Sequence, residues 1–379
     1  MKAFSVAAKN FNVYSETFIR NHAENILPGA TALVSLNPEA VFLPQINSDD
    51  CFAFCRKKSL LPKKIDRLWR FVAGSSVFYP GNNASNLLAD FLKKTGVNVL
   101  LAEYGPVGCA VGRACHMAGV KLYVHFHGYD ASKLLNRWHV RHSYRWLFES
   151  AKGFIFPSDF LAQQLCDKTG IPRNDRIHVV PCCVQPDEFC ATQPKDHKLL
   201  LSVGRFVPKK APQETILAFS KLLQNLPGLR LEMIGDGKLL PICKELVQAL
   251  DIEDQVIFHG SKPHDFVKEK MKRATLFLQH SVTAPDGDME GLAVALLEAM
   301  ASGAVVVSTK HSGIVEAVVN GKTGFLVEEH DVDDMADKCL RLLRDMNMIN
   351  AMRVNARNRV EEFYSVDKQV SSLKKIMGL

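Results

Sequence analysis

Residues 198–210 read Lys-Leu-Leu-Leu-Ser-Val-Gly-Arg-Phe-Val-Pro-Lys-Lys. An apolar run of strand length, 198–203, stops at Gly204, and a helical pattern runs from about 211 to 226. The same strand–turn–helix unit recurs along the chain. Strand candidates in the first half are 3–8, 31–36, 98–103, 121–127, 153–157 and 177–180. In the second half they are 198–203, 230–234, 255–258, 275–278, 304–308 and 324–327. Helical patterns lie between most of them, including 211–226, 239–250, 292–301 and 332–344. Strands alternating with helices build parallel sheets covered on both faces. Ligands of such sheets sit beyond the carboxyl ends of the strands. The expected fold class is α/β.

A chain of 379 residues is too long for one comfortable core and suits two domains. The expected boundary is the short polar stretch 190–197, which contains Pro194 and is followed directly by a strand. That gives a first domain over 1–193 and a second over 194–364. The segment 365–379 is a helical pattern after the break at 361–364. No apolar run reaches the about 18 residues a membrane helix needs. The start reads as a first strand without a signal-peptide cleavage pattern. The cysteines are scattered, with no Cys-x-x-Cys pair, so reduced thiols are a simpler account than zinc.

The net charge of +7 is unevenly placed. Residues 1–193 hold 22 Lys+Arg against 15 Asp+Glu, and residues 194–379 hold 25 against 25. The whole excess belongs to the first half, which implies a partner of negative charge there. Two basic-aromatic stretches carry much of it. One, residues 56–71, contains Arg56, Lys57, Lys58, Lys63, Lys64, Arg67, Trp69 and Arg70. The other, residues 137–146, places Arg137, Arg141 and Arg145 at helix spacing, with Trp138 and Trp146 able to pack inward. Basic residues interleaved with Trp and Leu suit an anionic membrane surface. No nucleic-acid module accompanies them, so nucleic acid is not an expected partner.

Several residues point to chemistry. Glu290 and Glu298 flank an apolar stretch, with Glu290-Gly291 as the loop opening a helix and Glu298 about two turns along it at 1.5 Å per residue. Two such acids grip two ends of one polar ligand, with the free N–H groups near Gly291 and Leu292 suited to an anion between them. From spacing alone, a surface acid plus a helix acid paired with a lysine is the simpler account. Gly204-Arg205 and Lys210, beside a helix start, have the makings of a pyrophosphate site. In the first half, His127-Gly128-Tyr129-Asp130 follows a strand. A histidine there is placed for proton transfer or hydrogen bonding to a sugar or phosphate. Strand alternation buries His125, which reads as a core residue. Asp130 reads as a cap of the helix that follows, and Ser15 as an N-cap of a helix over 18–26.

The chain resembles the retaining, nucleotide-sugar-dependent glycosyltransferases of family 4, which have the GT-B fold. The resemblance rests on Gly204-Arg205-Phe206-Val207-Pro208-Lys209-Lys210, Ile234-Gly235-Asp236-Gly237, Val256-Ile257-Phe258-His259-Gly260, the stretch 286–298, Ser312-Gly313-Ile314-Val315-Glu316-Ala317 and Gly321-Lys322-Thr323-Gly324-Phe325-Leu326-Val327. Tyr14-Ser15-Glu16-Thr17-Phe18 and His125-Phe126-His127-Gly128-Tyr129-Asp130 match more loosely. Within the family the likeness is greatest to enzymes of bacterial exopolysaccharide and colanic-acid-type assembly.

The resemblance implies two Rossmann-like doubly wound domains facing across a cleft, with the last helix crossing back to the first. It implies that Arg205 and Lys210 hold the diphosphate of a UDP- or GDP-hexose. Glu290 would meet the transferred sugar, Glu298 the ribose, and Gly204, Gly260 and Lys262 would line the donor pocket. His127, with Ser15, Glu16 and Asp130, would serve the acceptor side. Asp286-Gly287-Asp288 superficially matches the Asp-x-Asp of metal-dependent transferases, but its setting resembles a family-4 loop, so neither metal nor cofactor is expected. The family usually has Gly at the position of Ala211, a departure expected not to matter. The chain is expected to be cytoplasmic, peripheral at the inner face of the membrane, and to act on a saccharide or lipid-linked acceptor. The rivals are a soluble transferase making a small saccharide and a catalytically silent nucleotide-sugar-binding scaffold.

Overall fold

A computed structural model describes residues 2–11, 17–40, 42–54, 78–190 and 194–379. The chain divides into two compact units, residues 1–180 with 370–379, and residues 181–369. The segment 181–190, expected with the first half, belongs to the second unit, where Val184 bridges to Ser365 and Phe189 lies in one apolar cluster with Leu199 and Leu201.

The first unit is built on a seven-stranded sheet in the order β3-β2-β1-β4-β5-β6-β7. Its strands are β1 (Phe4–Ala8), β2 (Thr31–Ser35), β3 (Cys51–Ala53), β4 (Val99–Glu103), β5 (Lys121–His125), β6 (Gly153–Phe156) and β7 (Ile177–Val179). Every pairing is parallel. β1, β2, β4 and β6 are buried along their whole length, as expected where helices cover both faces of a parallel sheet. The sequence pattern missed β3, which has only three residues. It also ran β5 two residues too far, because apolar Phe126 continues the alternation past the last ladder pair. In the final helix, Val366–Met377, Leu373 and Met377 are buried in one cluster with Phe4, Val6 and Ile19.

The second unit carries a six-stranded parallel sheet in the order β10-β9-β8-β11-β12-β13. Its strands are β8 (Asp196–Val203), β9 (Arg230–Ile234), β10 (Val256–Gly260), β11 (Ala274–Gln279), β12 (Val305–Thr309) and β13 (Gly324–Val327). In both sheets the order reverses beside the first strand, between β1 and β4 and between β8 and β11. These reversals are where an open α/β sheet leaves a crevice at the carboxyl ends of its strands. Gly204 and Glu103 stand at those ends.

Two loops at the carboxyl end of the second sheet are interlocked. Gly204 donates its N–H to Ile234 O at 2.9 Å, and Phe206 donates to Asp236 O at 2.9 Å. A Cβ on Gly235 would lie 2.0 Å from Gly204 O, and one on Gly237 would lie 2.5 Å from Phe206 O. Both glycines have positive φ, 139° and 153°. No side chain fits either place.

Candidate active site

In the second unit the residues converge on the end of β8. After Gly204 the chain makes a short turn, Pro208–Lys210, and the next helix is Pro212–Leu223. Lys210 sits in that turn. Its Nζ lies 2.8 Å from Glu290 Oε2 and donates to Gln279 Oε1, at the end of β11, at 3.3 Å. Burial pushes the Lys210 ammonium below its ordinary pKa, against the pull of Glu290. Burial also opposes the charge on Glu290, but Lys210 and then Lys209 outweigh it and hold the carboxyl at about 2. The Glu290 carboxyl is therefore ionised at neutral pH. Arg205 is exposed and has no ion partner among the described residues. Arg205, Lys210 and Gln279 line a shared pocket with Gly204 and Ser202.

Ala211 departs from expectation. Its φ of 36° and ψ of 55° place it in the left-handed region, which a side chain occupies at a cost of about 1–2 kcal/mol. Glycine would take this conformation without strain, so the Gly-to-Ala departure does matter physically.

The loop carrying Glu290 is braced from three sides. Lys209 Nζ donates to Asp288 Oδ1 and to Met289 O, each at 3.1 Å. The N–H of Glu290 donates to His311 Nε2 at 3.1 Å. His311 Nδ1 lies 2.6 Å from Glu329 Oε1, and the N–H of Thr283 donates to Glu329 Oε2 at 2.8 Å. Because His311 Nε2 accepts, Nδ1 carries the ring proton. Sequence reasoning missed Lys209, Gln279, His311 and Glu329. The available signal was the polar residue ending β11 and the histidine two residues after β12.

The helix bearing Glu298 is Val294–Ala301, starting two residues later than expected. Gly291 and Leu292 therefore lie before it, in a loop where Gly313 donates its N–H to Gly291 O at 3.1 Å. The N–H groups of Gly291, Leu292 and Ala293 have no acceptor among the described residues. Glu298 Oε1 lies 2.9 Å from His264 Nε2. That hydrogen bond raises the His264 pKa, against a smaller effect of burial. Gly260 ends β10 with φ of 66°, and Lys262 Nζ lies 5.6 Å above the Phe266 ring.

The first unit brings together a different set at the ends of β4 and β5. Glu103, which sequence reasoning missed, is fully buried. His22 Nδ1 lies 2.6 Å from its Oε1, and His127 Nε2 lies 2.9 Å from its Oε2. His125 Nδ1 is farther away, at 3.4 Å, and neither of its buried ring nitrogens has a hydrogen-bond partner among the described residues. His125 is thus buried as expected, but beside a carboxylate. Burial favours a neutral Glu103, yet the histidines around it outweigh that and hold its pKa well below the usual range. Burial pushes His127 down to about 4. Between Glu103 and the helix Gly105–Ala118, Tyr104 takes a strained φ of 76°.

Asp130 corrects the reading of it as a cap for the following helix. One carboxylate oxygen accepts the N–H of His127 and the other the N–H of Gly105, both at 2.7 Å. The side chain is wholly buried and binds the β5 loop to the start of the helix after β4. Burial, opposed by these backbone donors, raises its pKa to about 7. Ser15, Glu16 and the stretch 56–71, with its eight basic and aromatic candidates, lie outside the described residues.

As to metals, His22, Glu103 and His125 offer ligand atoms within 4.8 Å of one another. Asp286 and Asp288 belong to no such group among the described residues. Asp288 is instead taken by Lys209. Among the described residues no helix is long and apolar enough to cross a membrane.

Comparison with known proteins also divides the chain in two. The model of glycosyl transferases group 1 matches residues 186–359, and that of glycosyltransferase family 4 matches residues 56–188. The putative colanic acid biosynthesis glycosyltransferase WcaL of Escherichia coli is 33% identical over 287 residues, covering 73% of this chain and 70% of WcaL. The chain belongs to the group 1 and family 4 glycosyltransferases. A second relative within the family is the amylovoran biosynthesis glycosyltransferase AmsK of Erwinia amylovora, 32% identical over 274 residues, 71% of this chain and 67% of AmsK. Among solved structures, Anabaena HepE in complex with UDP and glucose aligns with a TM-score of 0.77 over 99% of both chains. At 14% identity that likeness speaks to the fold, and the expected GT-B class of this glycosyltransferase is the one found.

Proposed function

We propose that this glycosyltransferase moves a hexose from a UDP- or GDP-sugar to a saccharide or lipid-linked acceptor, with retention of configuration, in cell-surface polysaccharide or glycolipid synthesis. The observation that carries the reading is the 2.8 Å approach of Lys210 to Glu290. It joins a fixed cation and a carboxylate held ionised at the carboxyl end of β8. A leaving nucleoside diphosphate gains negative charge as its bond to the sugar breaks, and Arg205, Lys210 and the free N–H groups at Gly291 and Leu292 offset it. Glu290 then faces the sugar carbon that turns positive, and Glu298 takes the ribose hydroxyls. His127 serves the acceptor side. Fixed cations make a metal dispensable in this scheme. The relatives' names, which concern colanic acid and amylovoran, support the polysaccharide assignment. The basic stretch 56–70 is assigned to an anionic membrane surface at the inner face of the cell membrane.

The test is a panel of UDP- and GDP-hexoses incubated with saccharide and lipid-linked acceptors in excess EDTA. Products are read by mass spectrometry and anomeric NMR couplings. An α-linked product from an α-linked donor is expected. An inverted product, or activity lost in EDTA and restored by Mn²⁺ or Mg²⁺, defeats the retaining or the metal-independent part in turn.

A further inference from the structure

The buried cluster in the first unit has an organisation that the donor site does not use. A carboxylate only accepts hydrogen bonds, and each oxygen of Glu103 meets a ring nitrogen, His22 Nδ1 at 2.6 Å and His127 Nε2 at 2.9 Å. Both nitrogens therefore carry protons. A neutral ring protonated on Nε2 has its lone pair on Nδ1. In His127, Nδ1 has no partner among the described residues, and it is not one of the buried unpartnered atoms, unlike both nitrogens of His125. It is the ring's free hydrogen-bonding atom, and His127 keeps 8% of its surface exposed. The ring itself is held, with Phe18 at 4.3 Å, Tyr104 and His125 each at 4.5 Å between centroids. Asp130 fixes its backbone N–H.

We propose that Glu103 is a positioning residue that sets the tautomer of His127, so that Nδ1 meets the substrate as a hydrogen-bond acceptor and His22 steadies the carboxylate from its other oxygen. This rests on the reading that His127 acts on the acceptor side. The strained Tyr104 supports it, because backbone strain at the residue after Glu103 persists only where the surroundings enforce it. The charged and titratable groups facing Glu103 are His22 from the helix Thr17–Asn25, His125 from β5, and His127 and Asp130 from the loop after β5.

The test uses the full chain labelled with ¹⁵N and long-range ¹H–¹⁵N correlation, with His127→Gln to assign the signal. The wild type should show His127 protonated on Nε2. In Glu103→Gln the amide can turn to donate, and the signal should move toward the Nδ1–H form while kcat falls about 10²-fold with KM for the nucleotide sugar unchanged. Glu103→Asp, which keeps the carboxylate, should restore the Nε2–H form. A wild-type Nδ1–H tautomer overturns the proposal even if Glu103→Gln does not fold, and so does a Glu103→Gln protein with wild-type spectrum and kcat. Stoichiometric zinc held by His22, Glu103 and His125, detected by native mass spectrometry, also overturns it, since the metal would then occupy the carboxylate. If His127→Ala keeps full activity, the role of His127 at the substrate fails instead, and the tautomer spectrum still reports on Glu103.

Discussion

Glu290 is gripped at both ends: Lys210 Nζ lies 2.8 Å from its carboxylate, and His311 Nε2 accepts its backbone N–H at 3.1 Å. One contact sets charge and the other sets position.

Removing the cation should disable the donor site. Lys210→Ala leaves the Glu290 carboxylate without its principal partner and removes positive charge from the place where the leaving group gains negative charge. A loss of about 10²–10³ in kcat is expected. Steady-state kinetics at low and saturating donor decide it, and wild-type turnover in both regimes refutes the assignment.

His311→Ala tests the brace without touching the carboxylate. It orphans the N–H of Glu290 and one oxygen of Glu329, a cost of about 1–3 kcal/mol. Urea denaturation should show that loss, and activity should fall while nucleotide affinity stays near wild type. Unchanged stability and turnover would mean the loop holds its place without the histidine.

Ala211→Gly should stabilise the protein, which is uncommon for a glycine introduced beside a helix. The left-handed φ costs alanine about 1–2 kcal/mol, and glycine returns part of that as backbone entropy, about 0.5–1 kcal/mol. A rise in the urea midpoint is expected, and a fall would show that the Ala211 methyl packs for more than its strain.

His264 gives a pH dependence with a definite sign. Its pKa is raised chiefly by the hydrogen bond to Glu298, so the contribution to stability is complete below the unfolded value of about 6.5. It is lost as pH rises through the higher folded value. An NMR titration of His264 should place its midpoint above that of a model peptide, and Glu298→Gln should bring it back. A midpoint indifferent to Glu298→Gln would break the assignment.

The basic stretch 56–70 makes a separate prediction. Attraction to anionic lipid runs at about 1 kcal/mol for each basic residue near the surface and is screened over about 8 Å at physiological salt. Vesicle flotation should increase with anionic lipid and fall in high salt. Replacing Lys57, Lys58, Lys63 and Lys64 by Gln should weaken it and spare nucleotide binding. A wild type that ignores anionic vesicles at low salt refutes the membrane assignment.

The fold was legible because its signal is local. Each buried parallel strand is a short apolar run closed by a turn, and the alternation with helices followed from that. The grouping of Gly204, Arg205 and Lys210 was legible for the same reason, as they are near neighbours in the chain. What escaped was set by pairing across the sheet. Glu103 looks like any acid ending a strand until β5 brings His127 to it and the helix Thr17–Asn25 brings His22. His311 acquires its role only when β12 places it beside the Glu290 loop. Asp130 was misassigned because a cap is the local use of such a residue, whereas its partner Gly105 lies 25 positions away. Ala211 showed its strain only as a dihedral angle.

The interlocked loops at Gly204–Phe206 and Gly235–Gly237 limit how this protein can change. A methyl at either of the latter two glycines collides with backbone rather than with a side chain that could turn aside. A side chain at Gly235 or Gly237 therefore requires the backbone of the Gly204–Phe206 loop to move. Gly260, whose φ is also positive but whose surroundings are open, leaves room for asparagine. Tolerance to substitution at this end of the sheet is thus distributed by backbone clearance, and the locked pair has to be kept while the side chains around it vary.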